Sequence, residues 1–243
     1  MNKIVILAAG KGTRMKCELP KALIKLKGKP MIEYLVESCI KSGVDASPII
    51  VVSPNNKEII SQALTKYNCR YAIQKEQLGT GHALSCAKDL VDEAVDHIIC
   101  LYGDHPFFRA ETIMKLSQSH NGPITMITTE VGDFNDWRKC FYYWGRIVRK
   151  DGKVKENVEF KDASEEIRKI KEVNPSMYCL ANSWLWENLT KLRNHNAQHE
   201  YYLTDLVKLA FEQNLSINTF NIDVKEVMGI NSPEELAVAE TLV

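Results

Sequence analysis

The sequence predicts an α/β fold: a Rossmann-like, mixed but mostly parallel sheet flanked by helices. Short apolar runs alternate with helical patterns in a βαβαβ order, and parallel strands need such crossovers. The first run leads straight into a glycine-rich loop. The turns are short, and there is no internal repeat, low-complexity linker or break in composition. These features predict one domain over residues 1–243, with a smaller lobe inserted at roughly 130–182.

Each element has its own signal. The run Ile4-Val5-Ile6-Leu7-Ala8-Ala9 is too short to span a membrane and ends in a Gly/Lys loop rather than a cleavage site. It reads as a first strand over 4–9, not a signal peptide. Residues 31–43 carry Met31, Ile32, Leu35, Val36, Cys39 and Ile40 at helical spacing, with Gly43 as the stop. Further strands are expected at 49–52, 71–74, 98–102, 124–129, 145–149 and 216–222. Further helices are expected at 56–66, 80–92, 110–119, 183–193 and 203–213. The last helix opens on Ser232-Pro233-Glu234-Glu235: an N-cap serine, a proline at the first position and a glutamate at the third.

Composition removes several function classes. The 31 Lys and Arg balance 31 Asp and Glu, so no general positive field holds nucleic acid. Local basic clusters can still take anionic substrates. No apolar run reaches the roughly 18 residues of a membrane helix, and a cytoplasmic protein is expected. The seven cysteines are odd in number and none form C-x-x-C. They read as reduced thiols rather than disulfides or a zinc site. His195 and His199 are four apart but lack an H-E-x-x-H context, so they read as a polar loop. Residues 134–144 hold six of the chain's 20 aromatics. They fit either a packed loop with its own small core or the wall of a substrate pocket.

The loop after the first strand carries the strongest chemistry. It reads Ala8-Ala9-Gly10-Lys11-Gly12-Thr13-Arg14-Met15, with Lys21 following Leu19-Pro20. Its backbone N–H groups can cradle phosphate, the alanines let a flat base approach, and Lys11, Arg14 and Lys21 suit a triphosphate. It is not a P-loop, because Val5 stands where that motif has its first glycine. It is not a dinucleotide fingerprint, because Met15 stands at the third glycine. Asp104 ends the strand 98–102 at the edge where α/β sheets bind ligands, and suits Mg²⁺. Gln74 and Gln77 offer amide pairs able to read a pyrimidine edge. Gly79 and Thr80 open a helix whose start can face a nucleotide. Glu159 and Asn174 can bind sugar hydroxyls or an N-acetyl group, though each alone also fits a solvated residue.

The full run L-A-A-G-K-G-T-R-M-x5-P-K over residues 7–21 resembles the signature of sugar-1-phosphate nucleotidyltransferases. It is closest to the uridyltransferase half of the bifunctional N-acetylglucosamine-1-phosphate uridyltransferase/glucosamine-1-phosphate acetyltransferase family. The resemblance recurs in order at Gln74–Ala83, Leu101–Asp104, Gly145–Val148, Glu159–Ala163, Glu172–Asn174, Asn196–Asp205 and Gly229–Asn231. It implies the nucleotide-diphospho-sugar transferase fold. It also implies Mg²⁺-dependent transfer of a nucleotidyl group, from UTP foremost, to N-acetylglucosamine 1-phosphate, with release of pyrophosphate.

Carried onto this chain, the resemblance implies Arg14 and Lys21 as catalytic cations and Asp104 and Asn231 as metal ligands. Ala8, Ala9, Gly10, Lys11, Gly12, Gln74, Gln77, Gly79, Thr80, Tyr102 and Gly103 would hold the nucleotide. Gly145, Glu159, Asn174 and Tyr202 would hold the sugar. The expected partners are a nucleoside triphosphate and a sugar 1-phosphate, with no nucleic acid and no membrane. Three departures concern the sugar side. The aromatic stretch lengthens the loop before Gly145, Trp144 replaces a tyrosine, and Pro175-Ser176 replaces Thr-Gly. The sequence given ends at Val243, before any acetyltransferase repeat, so acetyl transfer is not expected, the family's trimer is not assumed and the oligomeric state stays open. Two alternatives stay open: another sugar or alcohol phosphate as acceptor, and a nucleotide-sugar sensor without turnover.

Overall fold

A computed structural model describes residues 1–15 and 17–242; Lys16 and Val243, within the expected 1–243 domain, lie outside the described residues. The N-terminal half contains β1 (Asn2–Leu7), β2 (Lys25–Leu26), β3 (Lys29–Pro30), α1 (Met31–Lys41), β4 (Ile49–Val52), α2 (Lys57–Ala63), β5 (Arg70–Ile73), α3 (Thr80–Ser85), β6 (His97–Tyr102) and α4 (Ala110–Gln118). The middle contains β7 (Ile124–Glu130), β8 (Arg146–Lys150), β9 (Lys153–Val158), α5 (Glu165–Arg168), β10 (Glu172–Val173) and β11 (Tyr178–Ala181). The chain continues through α6 (Asn182–Leu189), α7 (Asp205–Glu212), β12 (Ile217–Asn221) and α8 (Pro233–Thr241).

Ten strands join one sheet in the order β5-β4-β1-β6-β11-β7-β10-β8-β9, with β12 also paired to β7. The pairings set β1, β4, β5, β6, β7, β8 and β12 in one direction and β9, β10 and β11 in the other. The sheet is therefore mixed and mostly parallel, as its sequence pattern predicts.

Continuous apolar runs make sense because both faces of these strands are covered. In β1, Ile4 and Ile6 pack into the layer of α1 and α4, while Val5 and Leu7 pack into that of α3, α6 and α7. In β4 and β6 the same alternation splits Ile50 from Ile49, and Ile99 and Leu101 from Ile98 and Cys100. Full burial of each such side chain contributes about 1.5–3 kcal/mol. The helical stripe of α1 buries Met31, Ile32, Leu35, Val36 and Cys39 completely.

Several boundaries differ from expectation. The helix expected over 80–92 is α3 followed by a separate 3₁₀ turn at Lys88–Leu90. Strands β9, β10 and β11 are additional to those expected. β9 pairs with β8 through a turn at Asp151 and Gly152, whose φ values are 51° and 76°. The cysteines are all free thiols, four of them buried. Among the described residues no helix is long and apolar enough to cross a membrane.

Candidate active site

The C-terminal ends of β1, β4, β5 and β6 share one sheet edge because these strands are parallel. Side chains from distant parts of the chain meet there. Lys21 follows Pro20 at the start of a 3₁₀ turn, Lys21–Leu23. Its Nζ donates to Asp104 Oδ2 at 2.5 Å and to Asn231 Oδ1 at 2.9 Å. Arg14 Nη2 donates to the same Asn231 oxygen at 2.9 Å. Burial would raise the Asp104 carboxyl, but the Lys21 ammonium outweighs it and holds that carboxyl at about 2.

Backbone contacts fix this junction. Ile230 N–H donates to the Asp104 carbonyl at 2.9 Å, and Asn231 N–H donates to Glu235 Oε2 at 2.5 Å. Glu235 N–H in turn donates to Ser232 Oγ at 3.3 Å. The expected capping of α8 is thus present, with the glutamate reaching one residue further back than in a simple capping box. The donor set fits a hard cation, since two oxygens, one charged, converge on a single ammonium. Among the described residues no three His, Cys, Asp or Glu side chains form a metal cage. Mg²⁺ takes one or two protein carboxylates and draws other ligands from phosphate and water.

Two cavities flank the junction. The first is lined by Ala8, Ala9, Gly10, Lys21, Gln74, Gln77, Gly79, Thr80, Tyr102, Gly103 and Asp104, with Glu200 at one side. Of the residues expected at a nucleotide, Lys11 and Gly12 do not line it. Gly12 instead sits against Lys21, in a left-handed conformation with φ of 60°. Gly79 is required by its surroundings: φ is 111°, and a Cβ there would lie 2.6 Å from the Tyr201 carbonyl oxygen. Two bonds clamp this segment to the Tyr201 strand-like stretch, Tyr201 N–H to Leu78 O and Gly81 N–H to Tyr201 O, both 2.8 Å.

The second cavity is lined by Arg14, Asp104, Gly145, Glu159, Asn174 and Asn231, together with His105, Tyr143, Trp144, Pro175 and Ser176. Glu159 Oε1 accepts from Asn157 Nδ2 and from Thr204 Oγ1, each at 3.0 Å. Burial pushes the Glu159 carboxyl up, and those two bonds oppose the rise. Asn174 turns its amide inward: Oδ1 accepts from Ser176 N–H at 2.8 Å and Nδ2 donates to Tyr178 OH at 2.5 Å. Tyr202, expected at the sugar, lines a separate groove beyond Glu159 and accepts from Gln198 Nε2 at 2.9 Å.

The aromatic stretch divides between the main core and a cavity wall. Phe141 is fully buried in the core beneath α1 and α8, while Tyr143 and Trp144 face the second cavity. Arg146, also fully buried, ties the stretch down by donating to the Tyr142, Trp144 and Arg168 carbonyls. The Phe134 ring lies 4.9 Å from its guanidinium. Sequence reasoning missed His105, Glu200 and Glu235 in these linings, and Asn157 and Thr204 as the residues that tether Glu159. For His105 the signal was its place directly after the strand-end Asp104. For Asn157 it was the Asp-Gly turn, which predicts a second strand beside β8.

Residues 4–203 match the MobA-like NTP transferase domain. The chain belongs to this family and is a nucleotidyltransferase. Among curated proteins it is similar to the "Bifunctional protein GlmU" of several bacteria. With that of Clostridium novyi it is 40% identical, over 98% of this chain and 51% of the relative. With that of Fervidobacterium nodosum it is 42% identical, over 99% and 50%. With that of Desulfotalea psychrophila it is 35% identical, over 98% and 69%. The chain thus spans about half the length of the first two.

Proposed function

We propose that the protein transfers the uridylyl group of UTP to N-acetylglucosamine 1-phosphate, with Mg²⁺, giving a nucleotide sugar and pyrophosphate. The observation that carries this reading is the convergence of Arg14, Lys21, Asp104 and Asn231 between two cavities in a nucleotidyltransferase. The first cavity, with main chain on one side and Gln74 and Gln77 on the other, is read as the nucleotide cavity. The second, holding Glu159 and Gly145, is read as the acceptor cavity. Residues 130–182 form the lobe that covers the acceptor, within one nucleotidyltransferase domain.

The acceptor phosphate is already an anion near neutral pH, so its in-line attack on the α-phosphorus needs no strong base. The difficulty is to bring two polyanions together and to stabilise charge as pyrophosphate leaves. Arg14 and Lys21 supply positive charge at the meeting point of the cavities. Asp104 and Asn231 would hold Mg²⁺, which supplies charge neutralisation of the phosphate oxygens when bound. The Gly79 segment and Ala8–Gly10 position the base and ribose. Glu159, with Oε1 tethered twice, offers Oε2 to acceptor hydroxyls.

A second reading changes only the acceptor. Trp144, Pro175 and Ser176 line the acceptor cavity, and all three depart from the sequence pattern of the resemblance. Their size and shape favour a different sugar or alcohol phosphate. Pyrophosphate release with Mg²⁺, across a grid of nucleoside triphosphates and sugar 1-phosphates, tests both. Activity with UTP and N-acetylglucosamine 1-phosphate well above every other pair is expected. A preference for another acceptor with UTP would select the second reading. Silence across the grid, from folded protein that binds nucleotide, would remove every sugar 1-phosphate tested and leave an alcohol phosphate acceptor or a sensor.

A further inference from the structure

Directly after Asp104 the chain turns a buried imidazole toward the acceptor cavity. His105 is 6% exposed, and its Nδ1 lies 2.9 Å from the Val227 carbonyl oxygen. A carbonyl can only accept, so in the neutral ring Nδ1 carries the proton and Nε2 is a bare acceptor. Nε2 stands 3.8 Å from Asp104 Oδ1. That oxygen is the one Lys21 leaves alone, since Lys21 bonds Oδ2. Two acceptors side by side cannot satisfy each other, and both belong to residues lining the acceptor cavity.

The ring has little freedom to turn away. The Trp144 ring lies against it, with centroids 5.7 Å apart. The Gly229 backbone closes another side, where a Cβ would come within 3.0 Å of Nε2. The bond to Val227 anchors the ring at its far nitrogen. An immobilised acceptor of this kind discriminates strongly, because a ligand without a matching donor leaves it unpaired.

We propose that His105 is a specificity-determining residue whose Nε2 accepts a hydrogen bond from a hydroxyl or amide N–H of the acceptor sugar phosphate. The proposal rests on the reading of this cavity as the acceptor site and deepens it. The competing role is purely positional. By bonding Val227, His105 holds the 227–231 loop that brings Asn231 to Lys21.

Two variants separate these roles. In His105→Asn the amide nitrogen can keep the bond to Val227, but nothing replaces Nε2. In His105→Gln a polar group reaches the Nε2 position and the Val227 bond is given up. Steady-state kinetics are measured for wild type and both variants with UTP, Mg²⁺ and N-acetylglucosamine 1-phosphate. They are repeated with a panel of monodeoxy and amine-substituted sugar 1-phosphates. The expected result is a fall of about 2- to 10-fold in acceptor kcat/KM for His105→Asn, as one neutral hydrogen bond gives. The KM for UTP stays within about twofold. One analogue in the panel should cost wild type the same factor and cost His105→Asn nothing.

Wild-type acceptor kinetics in His105→Asn, with His105→Gln impaired for both substrates, would overturn the proposal in favour of positioning. So would a wild-type enzyme indifferent to every missing donor, a result that stands even if neither variant folds. Absence of wild-type turnover with every acceptor would instead defeat the reading of the cavity itself, and the His105 assignment with it.

Discussion

The cavities read as the nucleotide and acceptor sites meet at Tyr102 and Asp104 but are built differently. The first lies on the ends of parallel strands and uses main chain heavily. Ala8 is pinned by its N–H to Val51 O and its carbonyl to Asn56 Nδ2, and Gly79 is pinned by Tyr201. The second is assembled from the strand-end pair Asp104 and His105, the aromatic stretch, the 174–176 turn and the start of α8. It depends on side chains such as Trp144 and Glu159. A cavity of main chain tolerates side-chain change, and one of side chains can change its ligand by a few substitutions. The substituted positions Trp144, Pro175 and Ser176 fall in the second.

The largest expected effect is at the junction that both cavities share. Lys21→Ala should lower kcat by about 10²–10³, as removal of one well-placed charge donor does. Because Lys21 holds both Asp104 and Asn231, kcat/KM should fall for both substrates together. Near-normal turnover would separate Lys21 from the chemistry.

Next in size is Gly79→Ala. A residue with a side chain is strained at this φ, at a cost of about 1–3 kcal/mol, and meets the Tyr201 backbone as well. The KM for the nucleoside triphosphate should rise about tenfold or more, with a smaller change in acceptor KM. An equal rise in both would deny that the Gly79 clamp belongs to one cavity.

A smaller effect is expected at Trp144→Ala. Loss of its contacts with His105 and Phe141, whose ring centroid lies 4.8 Å away, should reduce acceptor kcat/KM by about 2- to 10-fold. The preference order among sugar 1-phosphates should also change, while UTP kinetics hold. An unchanged order would make the aromatic stretch a packing device alone.

The smallest effect lies away from both cavities, at the opposite end of β6. His97 and His120 pack with ring centroids 4.4 Å apart, and His120 Nε2 is buried without a partner. Burial, with His97 adding to it, lowers the His120 pKa from 6.5 to about 4. The unfolded chain therefore binds a proton more readily than the folded one. Stability should be full above about pH 6.5 and fall as the pH drops toward 4. Urea midpoints against pH should show that slope, weaker in His120→Asn, with the KM for each substrate unaffected at neutral pH. A variant with the wild-type slope would assign the acid sensitivity to other groups.

The same contrast explains what was legible in the sequence. The strands β1, β4 and β6 announce themselves because burial on both faces demands near-continuous apolar runs. The stripe of α1 and the Ser232-Pro233 start of α8 are local codes. Strand β9 reads Lys-Val-Lys-Glu-Asn-Val, with only two apolar residues, and β11 follows a turn whose pairing partners lie on β6 and β7. No local pattern carries such long-range pairing, although Asp151-Gly152 marked the hairpin. At the site, Lys21, Asp104 and Asn231 were legible from their motifs. Their meeting within 3 Å, 83 and 210 residues apart, was a product of topology. Tyr202 was expected at the sugar; it lines the groove beyond Glu159, where its hydroxyl accepts from Gln198 Nε2. His105 went unnoticed although it directly follows the strand-end Asp104, because its place beside Val227 and Trp144 is set by long-range packing.

The most direct test of this division is a crossed set of KM values. The KM for UTP would be measured in Trp144→Ala, His105→Asn and Ser176→Gly, and the KM for the acceptor in Gly79→Ala and Gln77→Ala. If the cavities are separate constructions that share Tyr102 and Asp104 and the Lys21–Asp104–Asn231 contacts, UTP KM stays within about twofold in the first group, and acceptor KM likewise in the second. UTP KM rising in step with acceptor KM across the acceptor-side variants would contradict the account.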